Sequence, residues 1–303
     1  MYTINLGKSG LKVPTVAVGC MRISNMNDYE ISEFINTSLS YGANFFDHAD
    51  IYGEGKSEEV FGKAISNSMR DNIIIQTKCG IRKGFYDFSY DHIVNSVDGS
   101  LKRLGTEYID VLLLHRPDAL MEPEEIARAF SYLKESGKVR NFGVSNQNPY
   151  QIQLLQKTLD MPLCANQLQF GIGHTSMVDA GINVNINNVS AVNRDGGVLD
   201  FCRLENITIQ PWSPMQYGFF EGCFIDNAKF PELNNVLEKI GNKYNVSKTT
   251  LAISWILRHP AKMQPVTGTT NTTRLADCLK ASEIQITREE WYEIYRAMGN
   301  SLP

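Results

Sequence analysis

Residues 44–53 read NFFDHADIYG, residues 73–78 read IIIQTK and residues 109–115 read IDVLLLH. Each is an apolar, β-rich run that ends on a titratable side chain: Asp47, Lys78 and His115. Tyr52 lies in the loop just behind the first run. Continuous apolar runs are expected of strands covered on both faces. A barrel of parallel strands carries its chemistry at the strands' C-terminal ends. An acid, a phenol, an ammonium and an imidazole gathered there point to proton transfer to a carbonyl oxygen.

Working outward, strand patterns fall at 15–19, 44–48, 73–79, 109–115, 139–144, 163–168, 207–212 and 263–267, with amphipathic helices between them. Ile93, Val97, Leu101 and Leu104 keep helical spacing behind Ser89, a natural N-cap. Asn148-Pro149 reads as an N-cap followed by proline at the first helical position, and Gly137 as a helix stop. Thr287 and Glu290 form a capping-box pattern ahead of an apolar face of Trp291, Ile294, Tyr295 and Met298. Eight strands alternating with helices predict an α/β protein, a closed (β/α)8 TIM barrel forming one domain over 1–303. An open doubly wound sheet is the alternative, but its GxGxxG fingerprint is absent. Two short strands around Lys8-Ser9-Gly10 precede the barrel. The irregular segments 170–193 and 215–230 both follow strands, so both are expected on the active face.

Composition narrows the function. The 303 residues are 43% hydrophobic and 20% charged, with a formal net charge of -4. That balance gives no global basic field for nucleic acid or an anionic membrane. No run approaches the ~20 apolar residues of a membrane span. The six cysteines are scattered without a CxxC, as in a reduced, cytoplasmic protein. VAVGC at 16–20 superficially resembles a lipoprotein cleavage site, but Pro14 and the shortness of the apolar stretch favour a first barrel strand.

Tyr52 alone is an ordinary tyrosine, and its neighbours make the case. A free phenol has a pKa near ~10. A Lys78 ammonium beside it is expected to lower that value, with Asp47 holding the lysine. His115 can then orient the substrate oxygen. The DHAD stretch at 47–50 also permits a metal reading, but five histidines with no HxH or HExxH make proton chemistry the better one. Gly55-Lys56-Ser57 fails as a phosphate loop, because Asp50 stands where its first glycine belongs. No GxSxG nucleophile motif is present. A hydride requires a cofactor, and GVSN at 143–146, Gln167 and PWSP at 211–214 end successive strands. Ser145, Asn146 and Gln167 can bond a carboxamide, and Trp212 can stack on a flat ring. TGTTNTTRLAD then leads into a helix start that suits phosphate, with Arg274 beside it.

In order along the chain, LGKSGLKVPTVAVGCMR, FFDHADIYG, QTKCG, LLLHRPD, SGKVRNFGVSN, PWSP and GTTNTTRLAD resemble the aldo-keto reductase family almost end to end. YDFSYDHI and LLLHRPDALM are similar to bacterial oxidoreductases of the YdhF type. The resemblance implies that the N-terminal hairpin closes the barrel bottom. It implies NADPH-dependent reduction of a small carbonyl substrate, with Tyr52 as general acid, Lys78 and Asp47 tuning it and His115 positioning the carbonyl. Gly19, Met21 and Arg22 then lie near the nicotinamide and its ribose. Ser145, Asn146 and Gln167 take the carboxamide, Trp212 stacks and Ser213 approaches the pyrophosphate. Thr269, Asn271, Arg274 and Asp277 hold the adenosine end, with Arg274 toward a 2′-phosphate. This chain departs from the family pattern in having Trp212 for a more usual tyrosine, Gly268 and Thr269 where many members carry lysine, and Cys278 for a frequent asparagine. Two other functions fit the same fold: a cofactor-sensing regulatory module with little turnover, and a lyase or isomerase using Lys78 as a Schiff base.

Overall fold

Each of the eight apolar runs becomes a strand of one parallel sheet in the computed structural model, which describes residues 1–302. In chain order the barrel strands are Ala17–Gly19, Phe45–Asp47, Ile74–Cys79, Ile109–Leu114, Val139–Ser145, Leu163–Gln169, Thr208–Trp212 and Val266–Thr267. The first strand pairs with the second and with the eighth. The seventh and eighth meet where the Gln264 N–H donates to the Ile209 carbonyl at 3.0 Å, which closes the (β/α)8 barrel. Three helices start at the caps read from sequence. Ser89 caps Tyr90–Leu104, while Asn148 and Thr287 form capping boxes ahead of Pro149–Gln156 and Arg288–Ala297. No helix is long and apolar enough to cross a membrane.

The barrel interior has two levels. Ala17, Phe45, Val111, Leu113, Cys164 and Ala165 form an apolar layer. Leu6 and Val13, from the hairpin of Thr3–Asn5 and Lys12–Pro14, pack into it from below. The hairpin is pinned there by the Gly7 N–H, which donates to Thr208 Oγ1 at 2.8 Å. A polar layer lies within the same barrel: Asp47, Gln76, Lys78, Gln167, Gln210 and Gln264 are all buried.

The segment 170–193 departs from expectation. It carries a helix, Ser176–Ile182, and turns to the outside of the barrel rather than over the cleft at the strand ends. Burial decides this: the Phe170 ring stacks on Trp255 at 5.5 Å, and Met177 and Val178 join the outer core. The Tyr295 hydroxyl donates to Asp179 at 2.7 Å and ties the segment to the last helix.

Gly7 (φ +51°) and Gly10 (φ +74°) both hold left-handed backbone in the hairpin, but only at Gly7 would a Cβ overlap a neighbour, the Cys164 carbonyl. Gly10→Ala is expected to cost about 1–2 kcal/mol and Gly7→Ala about 3 kcal/mol or more, read as the difference in urea midpoints.

Candidate active site

Asp47 ends the second barrel strand, Lys78 is the penultimate residue of the third and His115 follows the fourth directly. Gln76 and Lys78 are two apart on one strand, so both project into the barrel. Lys78 is wholly buried. Its ammonium donates to the Asp47 carboxylate at 2.8 Å, the His48 carbonyl at 2.6 Å and the Tyr52 hydroxyl at 3.1 Å. Those three bonds use every proton it has. Tyr52 is brought within reach by its loop, where the Asp50 N–H bonds the Lys78 carbonyl at 3.0 Å and the Tyr52 N–H bonds the Ala49 carbonyl at 3.1 Å. The His115 ring meets the Tyr52 ring edge-on, with centroids 5.9 Å apart. The four side chains singled out in the sequence thus form one cluster.

Asp47 is held from a second side. Its Oδ1 accepts from Gln76 Nε2 at 2.6 Å and from Gln167 Nε2 at 3.0 Å. Both amides also reach Gln210 Oε1, at 2.9 and 3.4 Å. Gln210 Nε2 donates to Gln264 Oε1 at 2.9 Å, and Gln264 Nε2 to the Pro14 carbonyl at 2.6 Å. A ladder of amides therefore runs from the Asp47 carboxylate down to the hairpin. With its amide nitrogen so used, Gln167 has only its carbonyl oxygen for a ligand. Sequence reasoning missed Gln76, Gln210 and Gln264, although Gln76 sits two residues before Lys78 and Gln210 two before Trp212, and the two-residue repeat puts each pair on one face.

The electrostatics follow from burial. Burial pushes the Tyr52 phenol up. Lys78 pulls it down, but Asp47 cancels part of that charge, and the net shift is upward. The downward shift expected from the lysine is thus reversed. Burial also works against the charge on Lys78, but attraction to Asp47 and Tyr52 outweighs it and raises its pKa. Burial, then the charges of Lys78 and Arg116, hold His115 well below the usual histidine range, so its imidazole is neutral. His48, buried edge-on against Phe61 at 4.6 Å, is lowered to about 3 in the same way.

A cleft of about 910 Å³ opens above the cluster. Asp47, Tyr52 and His115 line it, and so do Thr269, Thr270, Arg274 and Cys278. Of the other residues named from sequence, Gly19, Met21, Arg22, Ser145, Asn146, Gln167, Trp212 and Ser213 line the cleft. Asn271 and Asp277 do not. Asn271 caps the helix Thr272–Lys280 by accepting from the Arg274 N–H at 2.9 Å, and Asp277 lies 3.9 Å from Lys280. Asn146 accepts from the Trp212 indole N–H at 3.2 Å and donates to Ser145 Oγ at 2.7 Å. The segment 215–230 does cover the cleft, contributing Met215, Gln216, Phe220, Cys223, Ile225 and Asp226. The sequence did not single out Gln216, whose Oε1 is buried without a protein partner. Arg116, next to His115, also lines the cleft. Among the described residues no group of three or more His, Cys, Asp or Glu side chains is placed to hold a metal ion.

The chain matches the Aldo/keto reductase family over residues 15–298. It belongs to that family. It is 31% identical to Oxidoreductase YdhF of Escherichia coli, with 99% of each chain covered. It is 33% identical to a 6-dehydroglucose reductase of Agrobacterium fabrum, with 94% of each covered. A crystal structure of a thermostable aldo-keto reductase in complex with the inhibitor epalrestat superposes with a TM-score of 0.79 at 24% identity, covering 98% of this chain and 100% of that one, which confirms the fold. This aldo-keto reductase is an NAD(P)H-dependent oxidoreductase.

One carboxyl near the cluster stands apart. Asp50 has an oxygen with no partner, and burial, reinforced by Glu58 and opposed by Arg103, raises its pKa to about 7. The folded protein holds this proton where the unfolded chain has released it, so the group lowers stability as pH climbs from about 4 to about 7 and no further above that. Asp50→Asn removes the dependence. Its stability gain over wild type, from urea unfolding, is expected to be about 1–3 kcal/mol larger at pH 8 than at pH 5.

Proposed function

We propose that this reductase converts aldehydes or ketones to alcohols with NADPH, Tyr52 serving as the general acid. The carrying observation is the direction of one hydrogen bond. Lys78 donates to the Tyr52 oxygen at 3.1 Å, which leaves the phenol's own proton free to be given to a ligand in the cleft. The donor and acceptor set along the cleft suits a nicotinamide dinucleotide: Ser145, Asn146, the carbonyl oxygen of Gln167 and the orphaned Gln216 Oε1 at one part, Thr269 and Arg274 at another. When bound, the reduced cofactor supplies a hydride to the carbonyl carbon, and the carbonyl π electrons move to oxygen.

The protein's part is to receive that developing negative charge. Neutral His115 donates a hydrogen bond to the oxygen and orients it without adding a titrating charge. Tyr52 transfers its proton to the same oxygen, giving the alcohol. Lys78 then stabilises the phenolate through the bond it already makes, and solvent returns one proton per turnover. A raised phenol pKa suits this direction, because the acid stays protonated at neutral pH until an alkoxide forms beside it. Arg274 is the residue proposed to prefer NADPH, by a charge-assisted contact with its 2′-phosphate.

Tyr52→Phe is expected to lower kcat by about 10²–10⁴-fold while cofactor binding, followed by fluorescence titration, persists. Loss of binding together with activity would remove Tyr52 from the acid role. Because the group must be protonated to act and its pKa is raised, kcat/KM for reduction should show no basic limb attributable to Tyr52 below pH ~10. Arg274→Met is expected to weaken NADPH binding about tenfold or more with little change for NADH. Equal weakening of both would place the contact elsewhere on the cofactor.

A further inference from the structure

Arg116 is a half-buried guanidinium that lines the reacting end of the cleft. Among the described residues it has no ion pair within 4.0 Å and no hydrogen bond. Its guanidinium lies over the Trp212 ring, 5.4 Å from the centroid. Asp118, the acid closest to it in sequence, and Asp87, next to Phe88, are both occupied. Asp118 accepts from the Phe88 N–H at 3.0 Å and the Leu120 N–H at 2.9 Å, and Asp87 pairs with Arg82 at 3.3 Å. The two cleft acids are neutralised as well, Asp47 by Lys78 at 2.8 Å and Asp226 by Lys248 at 2.6 Å. The other cleft arginines sit elsewhere: Arg22 donates to the Gly268 carbonyl at 2.9 Å, and Arg274 stands on the helix beyond it.

Taking a cation partly out of water without a counter-charge is costly. Here the cost falls beside His115, whose pKa the Arg116 charge helps to hold down after burial and Lys78. From these contacts we infer that Arg116 is a specificity-determining residue that selects carbonyl substrates bearing a carboxylate. The inference rests on the carbonyl-reductase reading above and names the substrate class for that site. A planar guanidinium accepts a carboxylate through two parallel bonds, so the anion would provide both the missing counter-charge and the missing acceptors. Apolar side chains also line the cleft. Trp212 and Phe220 lie nearly parallel, with centroids 5.8 Å apart and an interplanar angle of 22°, and Ile51 and Ile81 also line the cleft. A carboxylate joined to its aldehyde by a short aromatic or aliphatic spacer satisfies both features, whereas a polyol leaves its hydroxyls against the walls.

The test compares 4-carboxybenzaldehyde with 4-methylbenzaldehyde, taking the ratio of kcat/KM within each variant so that any general loss of activity cancels. Wild type is expected to favour the acid by about ten- to a hundredfold, Arg116→Met to lose that preference and Arg116→Lys to keep part of it. A wild-type ratio near one, or a ratio unchanged in Arg116→Met, overturns the assignment. So does faster turnover of glyceraldehyde than of the acid. A binding measurement separates this inference from the reductase reading. Calorimetry with 4-(hydroxymethyl)benzoate and benzyl alcohol, in the presence of oxidised cofactor, needs no turnover. Binding of the acid to wild type but not to Arg116→Met supports the anion site even if no aldehyde is reduced. Equal binding of acid and neutral alcohol overturns it even if aldehydes are reduced.

Discussion

A lysine ammonium cut off from solvent must find its compensation inside the protein. Lys78 finds it in Asp47, the His48 carbonyl and the Tyr52 hydroxyl, and removing any one of them would strand a buried charge or a buried proton. Asp47 in turn must spread its own charge, which it does over the Gln76 and Gln167 amides. These demands reach through Gln210 and Gln264 to the Pro14 carbonyl at the end of the N-terminal hairpin. The hairpin is thus more than an apolar plug. Its backbone supplies the last acceptor in a chain of amides that begins at the candidate catalytic carboxylate.

The cluster's pKa values follow from the same constraint. Because the lysine's charge is matched by Asp47, little of it is left to pull the phenol down, and burial keeps Tyr52 protonated. His115 stays neutral for the reverse reason: it is buried near two cations with no acid of its own. A protonated phenol and a neutral imidazole offer two hydrogen-bond donors to one oxygen. Around the rim the backbone is held in left-handed conformations at Asn146 (φ 57°), Ser213 (φ 50°) and Phe220 (φ 60°). Strain of this kind concentrates where side chains must be aimed at a ligand.

Local pattern made much of this legible. The eight strands were readable because runs rich in apolar and β-branched residues alternate with amphipathic helical patterns, and the helix starts because capping residues act within a few positions of themselves. Tyr52 and the three strand-end residues were readable because a parallel barrel exposes that end of every strand. Segment 170–193 was misread, since following a strand does not say which way a loop turns. The packing of Phe170 on Trp255 and the bond from Tyr295 to Asp179 are contacts between residues remote in sequence. Asn271 was assigned to the cofactor although its position before a helix is that of a cap, and the cap is what the structure shows.

From sequence alone came the barrel and the four side chains that gather at its strand ends, because these depend on burial periodicity and short-range capping. Tertiary structure alone decided which partners each charge receives. It decided that Asp47 is shared between a lysine and two glutamines, that Tyr52 is raised rather than lowered, and that Arg116 faces the cleft without a counter-ion. Those outcomes depend on distances of a few ångströms between residues far apart in the chain. Electrostatic energies in a low-dielectric interior change sharply over such distances, and no linear pattern of residue types encodes them.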